Sequence, residues 1–409
     1  MLNKYEIDVL RTLAHRYAEI AALPVHEAKR KLWIAHNEFR TARPMVLIDQ
    51  VCWNEMNRDG SLNSKVEDPY WRAVEIGLRE KIFSWEHMPA DMVLNPYISL
   101  AKPLCNSGWG MDAQVETLET SAGSVRSQHF KNLLEEEEDI EKIQFPHIWL
   151  DEEMDRQIRE TADEIFAGII PYRMEGLTMH LGIWDVISQW MGVENCYIEL
   201  MDRPEFMHAI VEKMTQGLLN QIEDVNRIGG YDVTSNIVHC SQNFLDNLPG
   251  ECDLEHGTTK NGWAFGLAQL FSSASPQITE EFEVEYMKRV FPHFGAIYYG
   301  CCERLDDRLD ILAKLPNVRK ISCSPWSDKD RFAERLPEQK IMSVKPNPAF
   351  LAGAALDEDS VRRELRHAID AAKRNQRNVE LILKDISTVR YEPQRLFRWA
   401  DIAMEEVQR

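Results

Sequence analysis

The chain lacks features that define several classes of protein. None of its apolar runs approaches about 18 residues, the length that a transmembrane helix requires. Positive charge is scarce, because 47 Lys and Arg stand against 67 Asp and Glu, a formal net charge of −20 over 409 residues. This balance excludes a broad phosphate-binding face, so we expect neither nucleic acid nor an anionic membrane as a partner.

No C-x-x-C pair occurs among the eight cysteines. In a chain of this length they do not resemble the disulfide framework of a short secreted domain. We therefore expect a cytoplasmic protein with at least one thiol free for metal binding or chemistry. The apolar share of 44% and the charged share of 28% are typical of a soluble globular protein with a sizeable core.

Eight short apolar runs, mostly alternating with amphipathic segments, indicate an α/β protein. Strands are predicted at 45–48, 174–181, 232–239, 263–271, 295–301, 318–323, 340–344 and 379–383. Such alternation is typical of parallel strands with helical crossovers, and eight strands predict a (β/α)8 TIM barrel.

The predicted domain division places a helical and irregular N-terminal extension over 1–130 and the barrel over 131–409. The extension contributes the first strand. Its irregular part, 54–130, contains one predicted helix near 69–84. Structureless stretches of this length are uncommon in compact domains, so we expect a lid over the site or the face of a homodimer.

Polar side chains stand at the predicted strand ends, where the chemistry of barrel enzymes lies. These candidates are Asp49, His180, His239, Cys240, Gln269, Cys301, Cys302, Glu303, Ser322, Cys323, Lys345, Asn347, Lys384 and Asp385. A purely structural barrel does not need thiol, imidazole, amide or charged groups at these positions. Each also has a structural alternative: a lone histidine can be a hydrogen-bonded core residue, and a buried lysine can pair with a nearby acid.

Two adjacent thiols and a carboxylate lie where the strand at 295–301 passes to a helix. Thiolate and imidazole both suit zinc, so Cys302, Cys301 and His239 are the predicted metal ligands. Because neighbouring strand residues point to opposite faces, we expect one cysteine to face inward, and we favour Cys302. The predicted catalytic residues are Glu303, Lys345, Lys384 and Asp385. The predicted substrate-binding residues are His180, Gln269, Tyr299 and Asn347.

From about residue 125 onward, the order of several motifs is informative. They are MEGLTMHLG at 174–182, WMG at 190–192, DRPE at 202–205, GGYD at 229–232, SPQITEEF at 275–282, YYGCCE at 298–303 and KPNP at 345–348. In order and spacing this series resembles the uroporphyrinogen decarboxylase superfamily. The resemblance implies a TIM barrel with one of two activities: metal-free decarboxylation of uroporphyrinogen, or zinc-dependent methyl transfer that involves a corrinoid protein.

The methyltransferase branch fits this chain better. The arginine-rich N-terminal signature of the decarboxylase is missing, and only RPMVLIDQ stands at 43–50. Where methyltransferase members carry an H-x-C-G zinc motif, Cys302 takes the place of the cysteine, but Gly300 takes that of the histidine. No cysteine lies at 383–387 for a third ligand. A zinc site would have to be assembled from Cys301, Cys302, His239 and either Glu303 or Cys323.

We therefore expect a corrinoid-linked methyltransferase. It would demethylate a small O-, N- or S-methyl compound and pass the methyl group to a corrinoid (cobalamin) protein, with zinc or a proton donor activating the leaving heteroatom. One alternative is a metal-free decarboxylase or lyase that uses Lys345, Lys384 and Asp385 on a small carboxylate. Another is a non-catalytic protein that binds a corrinoid or tetrapyrrole.

Overall fold

A computed structural model of the protein describes residues 2–40, 43–118 and 127–409. The strands are β1 (Met45–Ile48), β2 (Ile98–Ala101), β3 (Leu104–Asn106), β4 (Val115–Leu118), β5 (Ser127–Phe130), β6 (Ile148–Leu150), β7 (Tyr172–Glu175), β8 (Ile237–Val238), β9 (Ser241–Gln242), β10 (Trp263–Gly266), β11 (Ala296–Tyr299), β12 (Val318–Cys323), β13 (Ile341–Val344) and β14 (Val379–Leu383).

The α-helices are α1 (Lys4–Ala21), α2 (Val25–Asn37), α3 (Trp53–Met56), α4 (Pro69–His87), α5 (Glu152–Phe166), α6 (Ile183–Met191), α7 (Val193–Asp202), α8 (Pro204–Arg227), α9 (Pro276–Thr279), α10 (Glu285–Val290), α11 (Leu309–Leu312), α12 (Lys329–Arg335), α13 (Ala349–Ala352), α14 (Glu358–Arg374) and α15 (Gln394–Val407). Within the described ranges, no helix combines the length and the hydropathy needed to cross a membrane.

Six strands form a central parallel sheet in the order β1-β14-β13-β12-β11-β10. Consecutive strands from β10 to β14 are neighbours, as expected when each connection crosses back over the sheet through a helix. Every residue of β10, β11, β13 and β14 is buried, because both faces of the sheet are covered. The predicted α/β class with parallel strands is confirmed.

The two remaining predicted strands lie outside this sheet. In the segment 174–181 only the start is a strand, since β7 pairs in parallel with β2 in a separate sheet. Further along, His180 makes a single parallel bridge to Phe265. In the segment 232–239 only β8 is a strand, and it pairs with β9 in an antiparallel hairpin. Across the residues that the structure describes, the central hydrogen-bonded sheet has six strands and its ladders do not close.

The first strand of the hairpin begins at Ile237 rather than at residue 232, because a carboxylate holds the preceding backbone in a turn. Asp232 Oδ1 accepts hydrogen bonds from the backbone N–H groups of Thr234 and Ser235, an arrangement that competes with extended structure. The chain then forms the two short strands of the hairpin, with His239 and Cys240 at the turn. The expected strand is replaced by a turn that carries two candidate functional side chains.

The central sheet has an outer face toward the helices and an inner face. Alternation along the strands places Met45, Ile382 and Tyr298 in the inner cluster and Val46 and Leu381 in the outer one. The β8–β9 hairpin covers the inner face, since two of its residues belong to the inner cluster. The hairpin therefore holds its turn against the inner face of the sheet, which Trp33 of α2 also contacts.

A buried ion pair attaches this hairpin to the sheet. Lys320 Nζ lies 2.7 Å from Glu380 Oε2, and it also donates to Ser241 Oγ at 2.7 Å and to the Gln242 carbonyl at 2.9 Å. Burial alone would raise the pKa of Glu380, but the Lys320 ammonium and His36 hold it far below its usual range. Charges buried so deeply need this pairing.

Part of the region before residue 130 shares a core with residues beyond it. Helices α1 and α4 pack against each other, and α1 also packs against α5. Their buried side chains form one cluster with residues of β2 and β7. The domain division at residue 130 and the lid or dimer face stay predictions; residues 119–126 of that region lie outside the described residues.

Candidate active site

Five of the sequence-predicted residues meet at the C-terminal edge of the central sheet. Lys384 Nζ lies 3.1 Å from Cys301 Sγ and 3.3 Å from His239 Nε2. The Cys302 Sγ lies 3.5 Å from Cys301 Sγ and 3.6 Å from Asp385 Oδ2, and the Lys384–Asp385 ion pair measures 3.4 Å. We call Cys301, Cys302, His239, Lys384 and Asp385 the Cys301 cluster.

The loop after β11 decides which thiol faces the cluster. Gly300 has φ +90°, a conformation that side chains rarely tolerate, and it turns the chain at the strand end. Glu303 Oε2 then accepts the Cys301 N–H at 2.7 Å, and Ser322 Oγ donates to the Cys301 carbonyl at 2.7 Å. With the loop held this way, Cys301 is 8% exposed beside Lys384. Cys302 is exposed, contrary to our expectation that it would face inward.

His239 is held by the turn and by an aromatic contact. Its φ of +53° is unusual for a residue other than glycine, and Asp385 has a φ of +56°. The His239 ring stacks on Phe265 at 3.8 Å between centroids with 8° between the planes. His180 contacts the same phenyl ring at 5.0 Å in an edge arrangement. Strained backbone of this kind is concentrated at functional sites.

The electrostatics of the cluster favour a thiolate. The hydrogen bond from the Cys302 thiol, together with His239 and Lys384, outweighs burial and lowers the pKa of Cys301 to about 3. Burial alone would lower the pKa of His239, but the Cys240 and Cys301 thiols raise it to about 9. The pKa of Lys384 is also raised, because the two thiols outweigh burial. A nucleophilic sulfur thus stands beside the Lys384 ammonium, which in turn contacts the His239 ring.

Lys345 lies on the inner face and belongs to a second polar group. It is 3% exposed, and its Nζ donates to Tyr298 Oη at 2.5 Å and to Ser343 Oγ at 2.7 Å. Among the described residues its other hydrogen bond goes to the Ser343 carbonyl at 3.4 Å. Cys240 Sγ lies 3.8 Å from Tyr298 Oη, and burial of its thiol is outweighed by Lys345 and His239, which lower its pKa.

A cavity of about 370 Å³ lies beside Asp49, a neighbour of the Cys301 cluster in the sheet. Asp49 lines it and stands next to Lys384 in the sheet, because the Asp49 N–H donates to the Leu383 carbonyl at 2.9 Å. Burial raises the pKa of Asp49, although His239 and Lys384 act in the opposite direction. The polar side chains that line this space, the Asp49 cavity, include Asp49, Glu80, Lys81, Asn95, Glu175, Asn236 and Gln242.

Three of the predicted substrate-binding residues lie elsewhere. Tyr299 is buried on the outer face, where its hydroxyl contacts Glu283 Oε1 at 3.3 Å, because it alternates with inward-facing Tyr298. Asn347 Oδ1 accepts the Ala349 N–H at 3.0 Å and so shapes the start of α13. Gln269 begins a 3-10 helix, Gln269–Ser273, beyond the end of β10.

Other candidates have structural contacts that explain their positions. Glu303 is buried and holds the loop of Cys301. Its burial raises the pKa of the carboxyl to about 7. Ser322 supports the same loop, and Cys323 is buried on the outer face. Sequence reasoning missed Tyr298 as an inward-facing residue, since the period-2 pattern alone does not say which of two adjacent tyrosines faces the helices.

The three predicted metal ligands meet, but not around a metal-sized space. Among the described residues no group of three or more His, Cys, Asp and Glu side chains is arranged to hold a metal. The Lys384 ammonium contacts both Cys301 Sγ and His239 Nε2. A zinc ion bound by these two atoms would lie close to the ammonium, and the two positive charges would repel each other. In this arrangement the residues do not fit a zinc ion, and zinc binding stays a prediction.

Comparisons with known proteins support the fold and leave the family open. No family model matches the chain, and no curated protein sequence matches it. Among solved structures it is similar to a methyltransferase from Methanosarcina mazei, with 11% identity and a TM-score of 0.51. The likeness covers 93% of this chain and 99% of the other. At this identity the comparison shows a likeness of fold.

Proposed function

We propose that the protein is a methyltransferase and that the Cys301 cluster is its reacting centre. The fold likeness to a methyltransferase supports methyl transfer at a coarse level. The observation that carries the proposal is the Cys301 sulfur 3.1 Å from Lys384 Nζ at the C-terminal edge of a parallel sheet. In α/β proteins this edge is where ligands bind.

The finer proposal keeps the corrinoid-linked branch of the uroporphyrinogen decarboxylase superfamily and a (β/α)8 barrel of which the central sheet is one side. A corrinoid held by a partner protein would supply the methyl-accepting nucleophile. The exposed side chains of Cys302 and Asp385 mark the side of the cluster from which such a partner would approach.

The chain's own groups suit the electrostatics of methyl transfer. The nucleophile attacks the methyl carbon, the bond from carbon to the heteroatom breaks, and its electron pair stays on the heteroatom. The heteroatom therefore becomes more negative in the transition state. Lys384 and His239 supply positive charge at that place, and fixed charges in a water-poor site are effective stabilisers of such a change.

A second candidate is a metal-free lyase that acts on a small carboxylate. The observation that favours it is the buried Lys345 ammonium, which among the described residues donates its hydrogen bonds to Tyr298 and Ser343 rather than to an acid. A buried cation with neutral partners is suited to an anionic ligand. Release of CO2 from small carboxylates would identify this activity.

The test is a methyl-transfer assay with reduced cobalamin as acceptor and a panel of methoxy, methylthio and methylamine compounds as donors. We expect activity in the wild type and a loss of about 100-fold or more in Cys301→Ala and in Lys384→Met. Cys252→Ser, which changes a partly exposed thiol outside the cluster, is the matched control. Transfer unaffected by both cluster variants would place the reaction elsewhere. Absence of any transfer would overturn the proposal and leave the lyase or a non-catalytic binding protein.

A further inference from the structure

The Asp49 cavity has its own chemistry, which the Cys301 cluster does not use. Asp49 joins the two, since it lines the cavity and lies beside Lys384 in the sheet. The β8–β9 hairpin joins them as well, because Gln242 lines the cavity and His239 forms the hairpin turn. Asp49 therefore stands between a small molecule in the cavity and Lys384 of the proposed reacting centre.

The cavity is lined by more carboxylates than cations. Asp49, Glu80 and Glu175 line it, against the single ammonium of Lys81. In the described part of the chain none of these four groups has an ion-pair partner within 4.0 Å, and burial raises the pKa of each of the three acids. Half-buried carboxylates without an ion-pair partner are partly desolvated, and a cationic ligand would offset that cost.

An independent observation indicates a hydrogen-bonding ligand. Gln242 lines the cavity and is 1% exposed, yet no group among the described residues hydrogen-bonds to its Oε1. Buried amide oxygens are nearly always paired in proteins. A ligand that carries an N–H donor would satisfy this acceptor, whereas a quaternary ammonium would not.

The remaining lining suits methyl groups. Trp53, Met88 and Met92 line the cavity, and aromatic faces and thioethers contact methylated cations favourably. The volume of about 370 Å³ lies in the range of small-molecule pockets. The cavity thus combines acceptors, negative charge and apolar surface in a space of modest size.

We propose that the Asp49 cavity binds a small protonated N-methylamine, so that the methyl group transferred is bonded to nitrogen rather than to oxygen or sulfur. The inference rests on the proposed function for the transfer itself. When a nucleophile takes the methyl cation from the ammonium, the C–N bond breaks, its electron pair stays on nitrogen and a neutral amine leaves. The reaction discharges the cation, and the nearby charges of Lys384 and His239 favour that change.

Binding of trimethylammonium chloride in the absence of any methyl acceptor is the first test, measured by titration calorimetry near neutral pH. We expect it to bind about tenfold more tightly than the neutral isostere tert-butanol or the quaternary tetramethylammonium, which lacks an N–H donor. Equal binding of tert-butanol, or tighter binding of acetate, would overturn the inference.

Paired variants separate recognition from damage to the fold. Glu175→Gln should weaken trimethylammonium binding about tenfold, whereas Lys81→Met should strengthen it, because the substitution removes a repelling cation. The exposed Glu160→Gln is the control and should change nothing. Weakening in both cavity variants would overturn the proposed recognition.

Methyl transfer from methoxy compounds but not from amines would overturn this inference alone, and amine binding without any transfer would overturn only the proposed function.

Discussion

The Lys384 ammonium donates a hydrogen bond to the Cys301 sulfur over 3.1 Å, and this contact lies at the centre of the candidate site. The two residues are 83 positions apart in the chain, yet each follows a strand of the same parallel sheet. An ammonium in contact with sulfur favours the thiolate form. It also occupies space that a metal bound by Cys301 and His239 would need.

The first prediction concerns the ionisation of Cys301. With its pKa at about 3, the wild type should show no thiolate absorbance change from this residue between about pH 5 and 9. Lys384→Met removes one cation from the sulfur, so a titration assigned to Cys301 should move toward that range. Spectra of Cys301→Ser identify the signal, and Lys288→Met on the surface serves as control. An unchanged titration in Lys384→Met would show that the lysine does not stabilise the thiolate.

The second prediction concerns reactivity toward peroxide. A thiolate attacks a peroxide oxygen, water or hydroxide leaves, and the sulfur becomes a sulfenic acid. We expect a sulfenic-acid probe and mass spectrometry to find the label on Cys301 rather than on the more exposed Cys302, because the Cys301 contacts raise the pKa of Cys302. Label on Cys302 of the wild type, with Cys301 unlabelled, would contradict this order.

The third prediction is a pH dependence of stability that comes from Glu303. Burial raises the pKa of this carboxyl from 4.5 to about 7, so the folded state holds a proton that the unfolded state releases. Its contribution is fully present below about pH 4.5 and is lost as the pH rises through about 7. Glu303→Gln stays neutral. Between pH 5 and 8 the free energy of unfolding of the wild type should therefore fall by up to about 3 kcal/mol more than that of Glu303→Gln. Urea denaturation at several pH values measures the free energy of unfolding. The same pH dependence in the wild type and in Glu303→Gln would show that Glu303 does not cause it.

The fourth prediction concerns the buried pair of Lys320 and Glu380. Glu380→Gln leaves the lysine charge buried without its partner, and we expect the free energy of unfolding to fall by about 3–5 kcal/mol. The double variant Lys320→Met with Glu380→Met should be less destabilised than Glu380→Gln alone. Glu19→Gln removes an exposed ion pair and should cost less than about 1 kcal/mol. Equal stabilities of Glu380→Gln and Glu19→Gln would show that the pair does not hold the hairpin.

The fifth prediction concerns zinc. Zinc binding by Cys301, Cys302 and His239 requires the Lys384 ammonium to leave the space between Cys301 and His239. Lys384→Ala should therefore bind zinc more tightly than the wild type, as measured by competition with a chromophoric chelator. Cys302→Ala in that background should weaken binding. Stoichiometric zinc in the wild type, lost in Cys302→Ala, would show instead that the ligands rearrange around the metal.

The amino-acid sequence by itself determined the elements whose signals are local. The bounds predicted for 45–48, 318–323 and 379–383 agree with β1, β12 and β14, because short apolar runs that end in polar residues mark buried strands. The same runs indicated a parallel α/β sheet. They also indicated that Cys301, Lys384 and Asp385, which follow such strands, would share one edge of it.

Only the tertiary structure decided how those residues face one another. A period of two leaves two choices for each strand, and packing against the helices placed Tyr299 outside and Tyr298 inside. The turn at Gly300 directed Cys301 inward. The sequence alone could not show this, because Cys301 and Cys302 are adjacent residues of the same type. The Asp49 cavity joins residues such as Glu80, Glu175 and Gln242 from distant segments, and no local pattern connects them. Lys384 stands between Cys301 and His239 because β14 and the hairpin turn meet in space, which is a long-range contact that a linear pattern does not contain.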